Sequence, residues 1–387
     1  MPATEGRGRS GAADYRWRVQ SRSALGELAA SLVEMESVNP GLWADGSGER
    51  AVAQVVAEWS LAAGLDVEFD EVLPGRPNVI VTARGTGGGR TLLLNGHLDT
   101  VGVAGMERPF DAGIRNGRLY GRGAYDMKGA LAAALVAAAR AREERLAGDV
   151  VVACVIDEEL ASTGTERLVA SCSADAAIVC EPTDERLCIT HKGFVGFEIE
   201  TQGRAAHGSR PDLGVDAIAA MGSILTRLAD LATRLGGGPG HALLGPGSIH
   251  ASLIEGGQEY SSYPATCLLT GERRTLPGES QADVEQELNE LIDGADATVR
   301  VTFARAPFES DPGHGFPQRM TELAGGDRFY GISFWTDAAL LAEAGIPTVV
   351  FGPTGAGAHA TEEWVELESL ERCSHIYLEA VRAVCAA

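Results

Sequence analysis

The sequence predicts an α/β protein, a helix-flanked and mostly parallel sheet with a smaller unit inserted into it. Three observations predict this. Short apolar runs alternate with amphipathic stretches up to about residue 190, as in a sheet covered by helices. Strands of alternating exposure then take over. Near residue 337 the first style returns and holds to the C-terminus.

The elements follow in order. Stretches 25–35 and 50–63 carry apolar residues at three-to-four spacing and read as amphipathic helices. Segments 65–69, 78–83 and 91–95 are short and rich in Val, Ile and Leu, as strands are, and the glycine run 85–89 separates the last two as a turn. A long Ala/Leu helix is expected over 127–147. Segment 150–156 is continuously apolar, which suits a strand buried on both faces; 165–170 reads as helix and 176–180 as another buried strand.

Beyond residue 190 the pattern is strand 194–201, helix 216–235, a loop over 236–247, strands 248–253 and 266–271, helix 281–291 and strand 298–304. The order β-α-β-β-α-β is that of a ferredoxin-like sandwich. Helix 337–344, strand 348–351 and helix 367–384 then complete the first unit. The expected division is a flexible tail over 1–20, a larger unit made of 21–190 and 304–387, and an inserted unit over 191–303. A chain of 387 residues fits about two or three domains.

Composition narrows the function classes. With 32 Lys and Arg against 54 Asp and Glu, the formal charge is −22. Nucleic-acid and anionic-membrane partners are therefore not expected, because both need basic faces. No apolar run reaches the length of a membrane span, and residues 1–20 lack the apolar core of a secretory signal. The seven cysteines are odd in number, scattered and never spaced as C-x-x-C, which suits buried free thiols in a reducing cytoplasm. The 49 glycines predict many tight loops, where chemistry tends to sit.

Five short motifs carry that chemistry. GHLDT (96–100) follows a strand, and His97 and Asp99, two apart on an extended segment, point the same way. A metal-bound imidazole needs a partner on its other nitrogen, a role open to Asp99. An ordinary strand-end His beside a surface Asp reads equally well. GRGAYDMKG (121–129) surrounds Asp126 with glycines just before the long helix. There it reads either as a helix cap or as a metal ligand on a constrained backbone.

IDEEL (156–160) places three carboxylates in a row at the end of a buried strand, where open α/β sheets carry their sites. Such crowding is costly unless a cation neutralises it or water solvates it fully. Adjacent Glu158 and Glu159 can divide roles, one holding metal and the other accepting a proton from water. CEPT (180–183) brings Glu181 to another strand end. AHATEEWV (358–365) sets His359 on a glycine-rich loop. Imidazoles and carboxylates without thiolates suit zinc, with manganese or cobalt as substitutes. Five such ligands exceed a closed tetrahedral site and fit two metals sharing a carboxylate.

From about Ala29 to the C-terminus these motifs resemble, in order and spacing, one superfamily of co-catalytic zinc hydrolases. It comprises acetylornithine deacetylase, succinyl-diaminopimelate desuccinylase, aminoacylase and glutamate carboxypeptidase. The resemblance implies two Zn²⁺ ions, His97 on one and His359 on the other. Asp126 would bridge them, followed by a cis peptide bond. Glu159 and Glu181 would complete the ligand sets, Glu158 would be the general base, and Asp99 would support a ligand His. In the inserted unit, GRAAHGSRP (203–211) looks like the family's lid motif, so His207 would stabilise the oxyanion, commonly in the partner subunit's site.

GERRTLPGE (271–279) resembles the lid signature that assigns Arg274 to the substrate carboxylate, with Arg273 facing the other way. The IEGGQEYSSYP stretch departs from the family by having Ser261 where Asn is usual. Gly355 and Gly357 would let the backbone approach the substrate. The implied function is hydrolysis of a small carboxylate-bearing amide, first an N-acyl amino acid, by a homodimer joined through a mobile lid. A dipeptidase or carboxypeptidase of the same superfamily is the alternative. A catalytically silent binding protein is the alternative from another class, opposed by the presence of every ligand and the base.

Overall fold

The computed structural model describes residues 22–386; the tail expected over 1–20 lies outside the described residues. A nine-stranded sheet forms the centre. Its strands run in the order Asp66–Leu73, Arg76–Ala83, Val150–Val155, Leu92–His97, Ala176–Val179, Thr348–Val350, Cys188–His191 and Phe308–Glu309. Tyr330–Ile332 pairs with Cys188–His191 off that path. The four middle strands, from Val150–Val155 to Thr348–Val350, are parallel, and the strands flanking them join antiparallel. The sheet is thus mixed, with a parallel heart. That heart aligns the C-terminal ends of Leu92–His97, Val150–Val155 and Ala176–Val179 on one edge, where open α/β sheets bind ligands.

Both faces are covered, for the reason the continuous apolar runs suggest. Alternate residues of a strand point to opposite faces. Leu92 and Leu94 join one core with helices Arg22–Glu34, Gly129–Glu144 and Leu367–Cys385. Leu93, Val155 and Val179 join the other with helix Ala338–Glu343. Helix Gly129–Glu144 is buried almost throughout. Its alanines let it pack closely on Arg22–Glu34 and Leu367–Cys385. It is shorter than the expected 127–147. Asp126 and Met127 hold non-helical backbone before it, and Arg145, at φ 53°, turns left-handed and ends it.

The second unit is a four-stranded antiparallel sheet, ordered Ser248–Gly256, Thr266–Thr275, Gly193–Gln202 and Ala297–Arg305. Helices Ala217–Gly236 and Gln281–Ile292 share its separate apolar core through Met221, Ile224, Val284 and Leu288. The chain order is the expected β-α-β-β-α-β. Both helices begin on local signals. Asp216 accepts the Ala219 N–H at 2.9 Å, and Ser280 with Asp283 forms a capping box. Strand Ser248–Gly256 lies at the sheet edge and is exposed along nearly its whole length.

A third sheet joins Gly355–Ala356, Trp364–Glu366, Arg118–Tyr120 and Gly113–Arg115. Strands of two or three residues are too short to show a period, so the sequence pattern does not announce them. The same holds for Phe308–Glu309 and Tyr330–Ile332, and Cys188–His191, at four residues, is little longer. All seven cysteines are free, and all but Cys172 are buried. Among the described residues no helix is long and apolar enough to cross a membrane.

Candidate metal centre

Six side chains expected from five motifs meet at the edge defined by the parallel strands. His97 is the last residue of Leu92–His97, Glu158 and Glu159 follow Val150–Val155, and Glu181 follows Ala176–Val179. Asp126 reaches in from the irregular turn Ala124–Lys128, and His359 from the loop between the short strands Gly355–Ala356 and Trp364–Glu366. Of the two readings open for Asp126, the helix cap is dropped. Helix Gly129–Glu144 starts after Lys128 with no side-chain cap, and Asp126 faces the imidazoles instead. The Asp126–Met127 peptide is cis.

Asp126 lies between the two histidines. Its Oδ1 is 3.1 Å from His97 Nε2 and its Oδ2 is 3.4 Å from His359 Nε2. On the His97 side, Glu181 Oε1 is 3.5 Å from Nε2. On the His359 side, Glu159 Oε2 is 3.0 Å from Nε2. His97, Asp126 and Glu159 each offer a ligand atom within 4.8 Å of one another, and so do His97, Glu158 and Glu181. His97 is fully enclosed, whereas His359 is more than half exposed, so the centre opens on the His359 side.

Asp99 sits behind His97 and works through two groups. His97 Nδ1–H donates to the Asp99 carbonyl at 2.9 Å, and the Asp99 carboxylate lies farther from the ring, at 3.6 Å. This contact turns Nε2 toward the carboxylates. The Asp99 carboxylate itself accepts the backbone N–H of Glu158 at 3.1 Å and of Glu159 at 3.3 Å. Asp99 therefore ties the His97 strand end to the two glutamates.

The electrostatics are those of like charges gathered in a dry place. Burial pushes the Glu158, Glu159 and Glu181 carboxyls up, and each is pushed further by a carboxylate neighbour. Asp126 goes the other way: burial raises it, but hydrogen bonds from His359 and His97 outweigh that and hold it low. Those contacts, with Asp126 first and Glu159 next, lift His359 to about 10. Burial pulls His97 down, yet Asp126, Glu181 and Glu158 hold it well above its ordinary value. The donor set suits divalent metal: only imidazole nitrogen and carboxylate oxygen are present. Glu159 Oε1 is buried with no hydrogen-bond partner, an orphan that a cation would satisfy.

Arg274 shares one cavity of about 200 Å³ with Glu158, Glu159 and His359. Arg273 faces the other way, buried against Glu279 at 2.8 Å and Glu287 at 3.0 Å. His207 and Ser261 do not line that cavity. His207 Nδ1 meets the Ser209 hydroxyl at 2.8 Å, and Ser261 Oγ donates to Glu259 at 3.1 Å; the two segments join where Gly208 N–H donates to Ser261 O. Gly355 and Gly357 are fixed by the chain's own packing. A Cβ on Gly355 would lie 2.5 Å from the Tyr125 ring, and one on Gly357, at φ 88°, would lie 1.9 Å from Glu362 O.

Sequence reasoning missed two supporting networks. Buried Glu363 accepts the N–H groups of Gly123, Tyr125 and Asp126 at 3.1, 2.9 and 3.0 Å and pairs with Arg122 at 2.6 Å. Arg122 in turn donates to Ala360 O at 2.9 Å and Gly102 O at 3.2 Å. The pair clamps the Asp126 turn to the His359 loop. Burial and the Asp126 charge push the Glu363 carboxyl up, while the amides and Arg122 pull against them. The second network runs from Glu49 through Arg76 (2.6 Å) to Asp157 (3.1 Å), and from Asp157 through Asn39 (3.0 Å) to Asp99 (2.7 Å). Arg122 between two glycines was a visible oddity of the sequence, but a buried charge reads like a surface one until its partner is known.

A mixed sheet gathering imidazoles and carboxylates at the ends of its parallel strands, with an arginine from a second sheet in the same cavity, defines a hydrolase of amide bonds. The chain belongs to peptidase family M20/M25/M40, whose model matches residues 93–383. An acetylornithine deacetylase from Myxococcus xanthus is 33% identical over 349 residues, covering 84% of this chain and 89% of that protein. The fold matches aminopeptidase PepT from Bacillus cereus with a TM-score of 0.77 at 19% identity, over 95% of this chain and 100% of that one. It also matches a dinuclear metal-binding peptidase of the M20 family, YXEP of Bacillus subtilis. That match has a TM-score of 0.73 at 17% identity, over 94% and 98% of the two chains.

Proposed function

We propose that the protein is a di-zinc hydrolase that removes the acyl group from an N-acyl amino acid. The observation that carries this reading is Asp126, which offers one carboxylate oxygen to each of two imidazole-carboxylate sets. His97 and Glu181 would hold one ion, His359 and Glu159 the other, with Asp126 shared between them. Cobalt or manganese would substitute, since the donors are the same. Held by these residues, two divalent ions would supply Lewis acidity toward a water and the scissile carbonyl.

The chain's own residues supply the rest. Glu158 takes a proton from the attacking water on its carboxylate and delivers it to the leaving nitrogen. Its burial beside Glu181, which raises its affinity for a proton, suits that exchange. Arg274 orients the substrate by its carboxylate. Asp99 holds the His97 ring and the Glu158–Glu159 backbone in place.

We further assign 21–190 and 304–387 to the metal-holding unit and 191–303 to a lid. The lid carries a dimer contact along strand Ser248–Gly256, an unpaired edge on which Leu253 and Ile254 are exposed. Among the described residues His207 bonds only within the 191–303 unit, which suits a role in the partner subunit's site. Buried free thiols suit the reducing cytoplasm.

A panel of N-acetyl amino acids, N-succinyl amino acids and dipeptides, run on metal-analysed protein, tests the reading. Hydrolysis of the N-acyl substrates is expected. Turnover of dipeptides alone would replace it with the peptidase reading. Glu158→Gln is expected to lose about 10²–10⁴-fold in kcat with metal content unchanged; full activity would refute the assigned base and mechanism.

A further inference from the structure

The cavity beside the candidate metal centre has a wall that the deacylase reading does not use. Four aromatic side chains, Phe194, Phe303, Phe334 and Trp335, line it together with Arg274 and a second guanidinium, Arg305. Four of these residues sit near the ends of second-sheet strands: Phe194 near the start of Gly193–Gln202, Arg274 near the end of Thr266–Thr275, and Phe303 and Arg305 near the end of Ala297–Arg305. Phe334 and Trp335 come from the segment between Tyr330–Ile332 and Ala338–Glu343. Arg274, the arginine assigned to the substrate carboxylate, thus stands among rings.

Charge decides what can lie there. The carboxylates lining the cavity are Glu158 and Glu159, and both are committed in the proposed reaction, one to the proton and one to metal. The guanidiniums are already paired, Arg274 with Glu272 at 2.6 Å and Arg305 with Glu166 at 2.8 Å. The rings cannot compensate a substrate cation either. Arg274 lies 5.2 Å from the Phe194 centroid, and Arg305 lies 4.8 Å from Phe303 and 5.7 Å from Trp335, so those rings already face cations. An ammonium here would face two guanidinium–carboxylate pairs and find no uncommitted carboxylate lining the cavity. Phe334 carries no such partner in the structure, lines the cavity and is 42% exposed to solvent.

We propose that this cavity selects N-acyl amino acids with a large uncharged apolar side chain, aromatic or branched aliphatic, and rejects cationic ones such as N-acetylornithine. The proposal rests on the deacylase reading. In such a substrate the side chain and the carboxylate share the α-carbon, so anchoring the carboxylate at Arg274 lays the side chain against the aromatic wall. Phe334, exposed and uncommitted, is the residue that sets the preference.

The test compares kcat/KM for N-acetyl-phenylalanine, N-acetyl-leucine, N-acetylglycine and N-acetylornithine, with the acyl group held constant, on the metal-loaded protein. The expected order places phenylalanine and leucine above ornithine by about 10–200-fold. Phe334→Ala is expected to lower the phenylalanine-to-glycine ratio by about tenfold. Phe334→Glu is expected to shift the ratio of ornithine to leucine toward ornithine, because it supplies the missing anion. Ornithine turned over as well as leucine overturns the inference and leaves the deacylase reading standing. Ratios unchanged in both variants overturn it as well. No turnover of these four substrates or of their N-succinyl counterparts instead overturns the reading on which the inference rests.

Discussion

Replacing Glu363 by Gln tests whether the Asp126 turn and the His359 loop are one unit. Glu363 holds three backbone N–H groups and the Arg122 guanidinium, with both side chains almost wholly buried. The amide keeps the shape but removes the charge, leaves Arg122 uncompensated and turns an N–H₂ group toward donors. Breaking a buried pair from one side costs about 3–5 kcal/mol. At roughly 2–4 °C per kcal/mol for a domain of this class, the melting temperature should fall by about 6–20 °C. The same change loosens the backbone that carries Asp126 and His359, so metal affinity should drop about 10–100-fold. Scanning calorimetry and metal content after dialysis against a graded chelator read the two effects. Glu362→Gln, at the exposed neighbour, is the control and should behave as wild type. Wild-type melting and metal retention in Glu363→Gln would refute the clamp.

Other expectations follow from the same geometry. Chelation should lower the melting temperature, because Glu158, Glu159 and Glu181 crowd one another without a cation, and ions at about 1,000 times Kd add about 4 kcal/mol; equal melting with and without chelator would sink the site. His191 is buried between the carbonyl of Lys192 (3.0 Å) and the N–H of Thr336 (3.3 Å), and burial depresses it to about 4. The folded state then binds fewer protons than the unfolded state between about pH 6.5 and 4, so this contribution is present above 6.5 and is lost as pH falls. It amounts to about 3 kcal/mol, and His191→Gln should flatten that part of the denaturation profile by this amount; an unchanged profile would contradict it. If His207 serves the partner's site, mixing the inactive variants His207→Ala and Glu158→Ala under subunit exchange should restore activity. Exchange without any recovery, or a clean monomer by light scattering, would end the trans assignment.

Much of the fold is legible in local pattern. The buried strands 150–156 and 176–180 announce themselves as unbroken apolar runs, and the capped helices 216–235 and 281–291 by period and by Asp216 and Ser280. The short third sheet is not legible, because two or three residues carry no period. Its contribution is nevertheless large: strand Trp364–Glu366 pairs with Arg118–Tyr120 and so brings the His359 loop to the Asp126 turn.

The sequence by itself determined the chemistry available: the acids, the imidazoles, their order along the chain and their places at strand ends. Those are properties of residue type and local spacing, and they suffice to name the family and to mark a donor set for divalent metal. Only the tertiary structure decided which oxygen faces which nitrogen. Asp126 becomes a shared group because parallel strands align His97 with Glu158 and Glu181 while a small antiparallel sheet delivers His359 from the far end of the chain. It also decided which charges are buried. Arg122 and Glu363, 241 residues apart, look like surface residues in the sequence, and their mutual burial appears only when folding brings both into a space without water.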